Sequence, residues 1–135
     1  MSAKKRRGNS PPDLDLGNLP VDQINDALDL ELEEGRVIFT TAAQIHAERN
    51  HPGDYPWVSP FVAQVVTSPL YIGDDFKNPG RIELVSRVPS RGAGVLVAVE
   101  VSPDRDGNYH ICSAYPVSEK KIENRRQKGR LKSFK

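Results

Sequence analysis

Residues 70–117, LYIGDDFKNPGRIELVSRVPSRGAGVLVAVEVSPDRDGNYHICSAYPV, decide the fold class, because the apolar period here becomes two residues. Four β-rich runs stand out: Leu70 to Gly73, Arg81 to Val88, Val95 to Val101 and Tyr109 to Val117. The segments between them carry turn chemistry. These are the acidic, glycine-bearing Gly73 to Gly80, the loop Pro89 to Gly94, and Pro103 to Asn108 with its Asp106-Gly107 pair. Each suits a hairpin, so the runs read as an antiparallel meander.

Toward the N-terminus the pattern is helical. Pro69 stops a run in which Ser59 resembles an N-cap and Pro60 a first-turn proline, with Phe61, Val62, Val65 and Val66 on one face. Before it lies TAAQIHAERNHPGDYPWVSP, Thr41 to Pro60, which holds two of the three histidines and the only tryptophan. Thr41 and Gln44 are spaced as a capping box, and Pro52 disfavours helical geometry at His51, so a helix is predicted between them. Arg36 to Thr40 is a short β-branched run that reads as a strand. Asp22 is placed to cap a helix with Ile24, Leu28 and Leu32 on its apolar side, and Gly35 to end it. Helices followed by a meander predict an α+β fold, with N-terminal helices packed on a four-stranded antiparallel β-sheet. The expected organisation is a disordered, basic, proline-containing arm over 1–18, a folded domain over 19–117, and a basic tail or helix over 118–135.

The 135 residues allow one domain with a real core, and 37% hydrophobic with 27% charged residues is ordinary for a globular chain. A single cysteine, Cys112, excludes an intramolecular disulfide and a multi-cysteine metal site. No apolar run approaches the ~20 residues that span a bilayer, so no membrane association is expected. The formal net charge of +1 hides segregation. Met1 to Ser10 carries four bases and no acid, Pro11 to Glu34 eight acids and no base, and Val101 to Lys135 nine bases against four acids. Clustered cations suit a polyphosphate partner, and they also serve solubility.

The chemistry is expected around the His46 helix. His46 and His51 are titratable near neutrality, and Arg49 lies three residues beyond His46 on the same face, where its planar guanidinium can hold a phosphate. The two histidines come together only if the chain bends near Asn50. On the last strand, strict alternation puts Tyr109, Ile111, Ser113 and Tyr115 on one face. Tyr55 and Trp57 offer rings for stacking an unpaired base, and Lys77, Arg81, Arg87 and Arg91 offer phosphate contacts. Each has a structural alternative: His51 as a helix-terminal cation, Trp57 as core, Arg81 as a solvent-facing partner of Glu83. His46-Ala47-Glu48 matches the H-x-E of zinc deaminases, but the P-C-x-x-C half is absent. No spacing of strong specificity points to a metal, and no cofactor is expected.

GRVIFTTAAQIHAERNHP, the helix after it, SPLYIGD, two further strands and HICSAYP together resemble the phage-associated branch of the barnase/EndoU/colicin/RelE-like ribonuclease superfamily, over Gly35 to about Pro116. The resemblance implies a histidine-bearing helix in front of a four-stranded antiparallel sheet, and roles for His46, Arg49 and His51 in acid–base and phosphate chemistry. It also implies a hydroxyl residue near the phosphate on the last strand, which maps onto Ser113 with Tyr115 beside it. The implied activity is metal-independent cleavage of RNA, transfer RNA among the candidates, by 2′-hydroxyl transesterification in a toxin or effector. Such a protein acts in the cytoplasm after delivery in a phage particle or a secreted toxin, and can have a cognate immunity protein. The non-enzymatic alternative is an inactive RNA- or protein-binding phage structural module.

Overall fold

The structure is a computed structural model that describes residues 10–134. Its elements are β1 (Leu14–Asn18), α1 (Val21–Leu28), β2 (Arg36–Phe39), α2 (Thr41–Asn50), α3 (Tyr55–Val58), α4 (Val62–Thr67), β3 (Tyr71–Asp74), β4 (Arg81–Val88), β5 (Ala93–Glu100), β6 (Tyr109–Ser118), α5 (Glu119–Gln127) and β7 (Leu131–Ser133). One seven-stranded sheet in the order β1-β2-β6-β5-β4-β3-β7 organises them. Neighbouring strands are antiparallel except β2 and β6, which run parallel through Val37 with Tyr109 and Ile38 with His110.

The fold is α+β, but the expected four-stranded antiparallel sheet is corrected to a seven-stranded mixed one. The β3-β4-β5-β6 meander is its centre, and three short strands extend it. Two of them lie in segments read as arm and tail. β1 has the alternation Leu14-Asp15-Leu16, hidden in an acidic, proline-containing context, and β7 has only three residues, too few for a periodic signal. The segment before β1 is also tied down. Thr41 donates through its hydroxyl to the Pro11 carbonyl (2.6 Å) and through its backbone N–H to Asp13 (2.8 Å), while the Gln44 amide donates to the Pro12 carbonyl (2.7 Å). The first nine residues of the expected arm lie outside the described residues.

The start of α2 differs from the expected one. Thr40, not Thr41, is the N-cap, its hydroxyl accepting from the Ala43 N–H at 3.2 Å. The first helix also differs. No side chain caps α1, and it ends at Asp29, which takes left-handed geometry at φ 56°, rather than at Gly35. Leu32 instead sits in a loop held by both ends of the Asn25 amide, at 2.8 and 3.0 Å. Gly35 is needed for proximity: a Cβ there would collide with the Gly107 carbonyl and the Tyr109 ring.

The sheet has two unlike faces. One is covered by α1 to α4 and buries Ile24, Val37, Phe39, Val58, Val62, Val65, Ile82, Leu84, Val95, Val97 and Val99 in a large core. The other carries a small cluster of Tyr71, Val85, Leu96, Ala98, Val117, Ile122 and Leu131 under α5 and β7. There α5 contributes a single fully buried side chain, Ile122, so polar contacts do much of the docking. Ser118 caps the helix through its hydroxyl, which accepts from the Lys121 N–H at 3.1 Å. Arg87 on β4 donates to Glu119 (2.9 Å), to Glu123 and to the Tyr71 hydroxyl (2.8 Å). Gly94 leaves room for the helix, since a Cβ there would lie 2.8 Å from Ile122 Cδ1 and 2.6 Å from the Ser86 carbonyl.

A bulge divides β6. Pairing with β5 slips between Ala98 and Val99, so Val99 meets Ile111 while Ala98 meets Ser113. Tyr109, Ile111 and Ala114 therefore belong to the large core, and Cys112, Tyr115 and Val117 to the small cluster. This corrects the single face expected for Tyr109, Ile111, Ser113 and Tyr115. One extra residue aims Tyr115 at the opposite side of the sheet from Tyr109.

Candidate functional site

On the partly covered face, alternation along β4 sets Glu83 beside the ends of α5 and β6. Ile82 and Leu84 point into the large core, so Glu83 must point the other way, yet it is only 8% exposed. Its one ion-pair partner among the described residues is Arg125 of α5, whose Nη1 donates at 2.8 Å. Burial pushes the Glu83 carboxyl above its ordinary range; the Arg125 charge opposes this, Asp75 adds to it, and Lys77 opposes it. Tyr115 stands next to this pair, and its phenol is likewise raised, first by burial and then by the Glu83 carboxylate.

Two adjoining clefts open over these residues. One, of about 150 Å³, is lined by Glu83, Tyr115 and Arg125 together with Asp74 to Asn78 and Arg130. The next, of about 390 Å³, is lined by His51, Lys77, Tyr115, Lys121 and Arg125, with the chain from Pro116 to Ser118 between them. His51 reaches this place because α2 ends before Pro52 and β2 pairs only the first residues of β6, leaving the later half of β6 beside the helix terminus. Its ring stacks on Tyr115 with centroids 5.7 Å apart and planes inclined by 21°. A third cleft continues the surface past Lys77, Lys121, Asn124, Arg125, Lys128 and Arg130. The three clefts share Lys77 and Arg125; the two outer ones are lined by cations, while over the buried Glu83 carboxylate Asp74 and Asp75 stand against Lys77, Arg125 and Arg130.

Of the residues expected from sequence, the structure brings His51, Tyr115 and Lys77 together here. His46 is exposed one turn away on α2 and shares a hydrogen bond of 3.0 Å with Asn50; neither it nor Arg49 lines these clefts. Ser113 lies on the same open face, in register with Glu83 across Ala98, and Arg81 lies two residues before Glu83 on β4, but neither lines the clefts. Trp57 donates to Asp54 (3.1 Å), packs against the large core and carries the Arg91 guanidinium 4.8 Å from its ring centre. Tyr55 packs on that core too, and burial, followed by the Glu48 charge, raises its phenol. Arg87 is committed to holding α5.

Glu83 is the site residue that the sequence does not single out, and Arg125 reads there only as one cation of the basic tail. The available signal was a carboxylate inside the apolar run Ile82, Leu84, Val85 of a middle strand, where a solvent-facing acid is out of place. Among the described residues, no three His, Cys, Asp or Glu side chains gather in a way that could hold a metal ion, and no helix is long and apolar enough to cross a membrane. No family model, curated protein or solved structure matches the chain.

Proposed function

We propose that this chain is a metal-independent endoribonuclease of toxin type that cleaves RNA by attack of a 2′-hydroxyl on the adjacent phosphate. The observation that carries the reading is the buried Glu83–Arg125 pair beneath a cation-lined cleft whose wall holds His51. The reaction needs a base for the 2′-hydroxyl proton, cations for the charged phosphorane, and an acid for the leaving 5′-oxygen. Glu83 supplies the base, because burial brings its carboxyl nearer to the working pH than an exposed glutamate. Arg125 and Lys77 supply positive charge. His51, held against Tyr115, supplies the acid, and the bond broken is between phosphorus and the 5′-oxygen. The products are a 2′,3′-cyclic phosphate and a 5′-hydroxyl end.

The superfamily resemblance of residues 35–116 supports the same chemistry, with the acid–base pair moved from His46 and His51 to His51 and Glu83. An inhibitor protein that protects the producing cell would have to cover these clefts, and the cations lining the outer two call for an acidic one. The test is a time course on transfer RNA and total RNA with chelator present, followed by end-group analysis. Accumulation of 2′,3′-cyclic phosphate ends that stops in Glu83→Gln and His51→Ala supports the reading. RNA that is bound but stays intact makes the chain a binding module instead.

A further inference from the structure

Among the described residues, Phe76 is the most exposed of the large hydrophobic side chains, at 66%, and it stands on the wall of the cleft that contains Glu83. Its loop is not loose. Asp75 accepts from the backbone N–H groups of Lys77 (3.1 Å) and Asn78 (3.2 Å) and from the Asn78 amide (3.1 Å), which fixes the turn that displays the ring. The Arg130 guanidinium lies 5.4 Å from the ring centre, and Arg130 makes no ion pair among the described residues. A fixed aromatic face in water, next to a guanidinium without an ion pair and to adjoining clefts lined by Lys77, Lys121, Arg125 and Lys128, matches what single-stranded nucleic acid uses: a ring to stack a base on and cations to follow the backbone. Tyr55 and Trp57, the rings expected for this task, are half-buried against the large core and line none of these clefts.

We infer that Phe76, with Arg130 beside it, is a stacking subsite for an unpaired nucleobase flanking the phosphate bound over Glu83, and that Lys77, Lys121 and Lys128 carry the adjoining phosphates. The inference deepens the ribonuclease reading and rests on it for where the chain lies. Stacking does not need a 2′-hydroxyl, so the subsite holds single-stranded DNA as well as RNA. It does not hold a duplex, whose bases are already stacked.

The test uses binding, not cleavage. A short single-stranded DNA oligonucleotide with a fluorescent adenine analogue cannot be cut by this mechanism, and inorganic polyphosphate presents the charge without the base. Phe76→Ala is expected to weaken the oligonucleotide about tenfold or more while leaving polyphosphate affinity unchanged, and Phe76→Trp to restore the oligonucleotide. Thermal melting of each variant at the wild-type temperature assigns the change to the ring. Wild-type protein that fails to bind the oligonucleotide, or Phe76→Ala that binds it undiminished or loses polyphosphate equally, overturns the subsite. If the oligonucleotide result holds while no RNA is cleaved, the subsite stands and the catalytic reading falls.

Discussion

Leu84 and Glu83 are neighbours in the chain and opposites in every other respect. Leu84 enters a face sealed by four helices and built from interchangeable aliphatic groups; Glu83 enters a face where one helix, docked through one buried isoleucine and an arginine clamp, leaves a channel open. Burial stabilises the first residue. For the second, burial opposes ionisation and is tolerated because Arg125 lies 2.8 Å away. The sealed face holds the fold, and the unsealed one keeps a charged group in a position that folding alone would not favour.

Substitutions at these neighbours separate the two faces most sharply. Glu83→Gln is expected to lower the single-turnover cleavage rate by about 10² to 10⁴ while the melting temperature changes little, because the isosteric amide still accepts from Arg125, whose guanidinium is partly exposed. Leu84→Ala should do the reverse, losing about 2–5 kcal/mol in urea unfolding with cleavage per folded molecule retained. A Glu83→Gln protein that unfolds, or a stable one that still cleaves, would merge the two faces into one structural role.

The pH dependence sharpens the contrast. Because the folded-state value of Glu83 is raised, its contribution to stability is fully present below the ordinary glutamate range and is lost as pH rises through the raised value. Wild type should therefore gain on Glu83→Gln as the pH falls across that window, as read from paired urea titrations. A stability difference that stays flat with pH would show that burial does not perturb this carboxyl.

Smaller effects probe the docking of α5. Gly94→Ala should destabilise by about 1–3 kcal/mol, because the added methyl meets Ile122 and the Ser86 carbonyl, and should reduce cleavage more than any other change remote from the channel, since Arg125 rides on that helix. Hydrogen exchange localised to Glu119–Gln127 would detect the loosening; uniform change across the sheet would contradict it. The smallest effect belongs to His46. Exposed and bonded only to Asn50 on its own helix, it should give His46→Ala within about half a kcal/mol of wild type and near its cleavage rate.

The meander, the strand at residues 36–39 and the α2 helix were legible because each carries a β-branched or alternating run of four or more residues or an explicit start or stop. β1 and β7 were not, because Leu14-Asp15-Leu16 and Leu131 to Ser133 gain their structure from partners distant in the chain. The parallel pairing of β2 was equally hidden, since no local signal says which edge a strand will join. Of the residues singled out by type, His51, Tyr115 and Lys77 line these clefts, while His46 and Arg49, favoured by helical spacing, lie outside them. Glu83 was passed over as a companion of Arg81. Its importance comes from a helix 42 residues later, and from a one-residue bulge that turns Tyr115 toward it.

The late position of that helix has a consequence for the order in which the molecule is made. A ribosome releases β4 with its carboxylate, then β5 and β6, and only afterwards the segment bearing Arg125 and the β7 strand that closes beside β3. Until then Glu83 has no guanidinium partner and the channel lacks one wall.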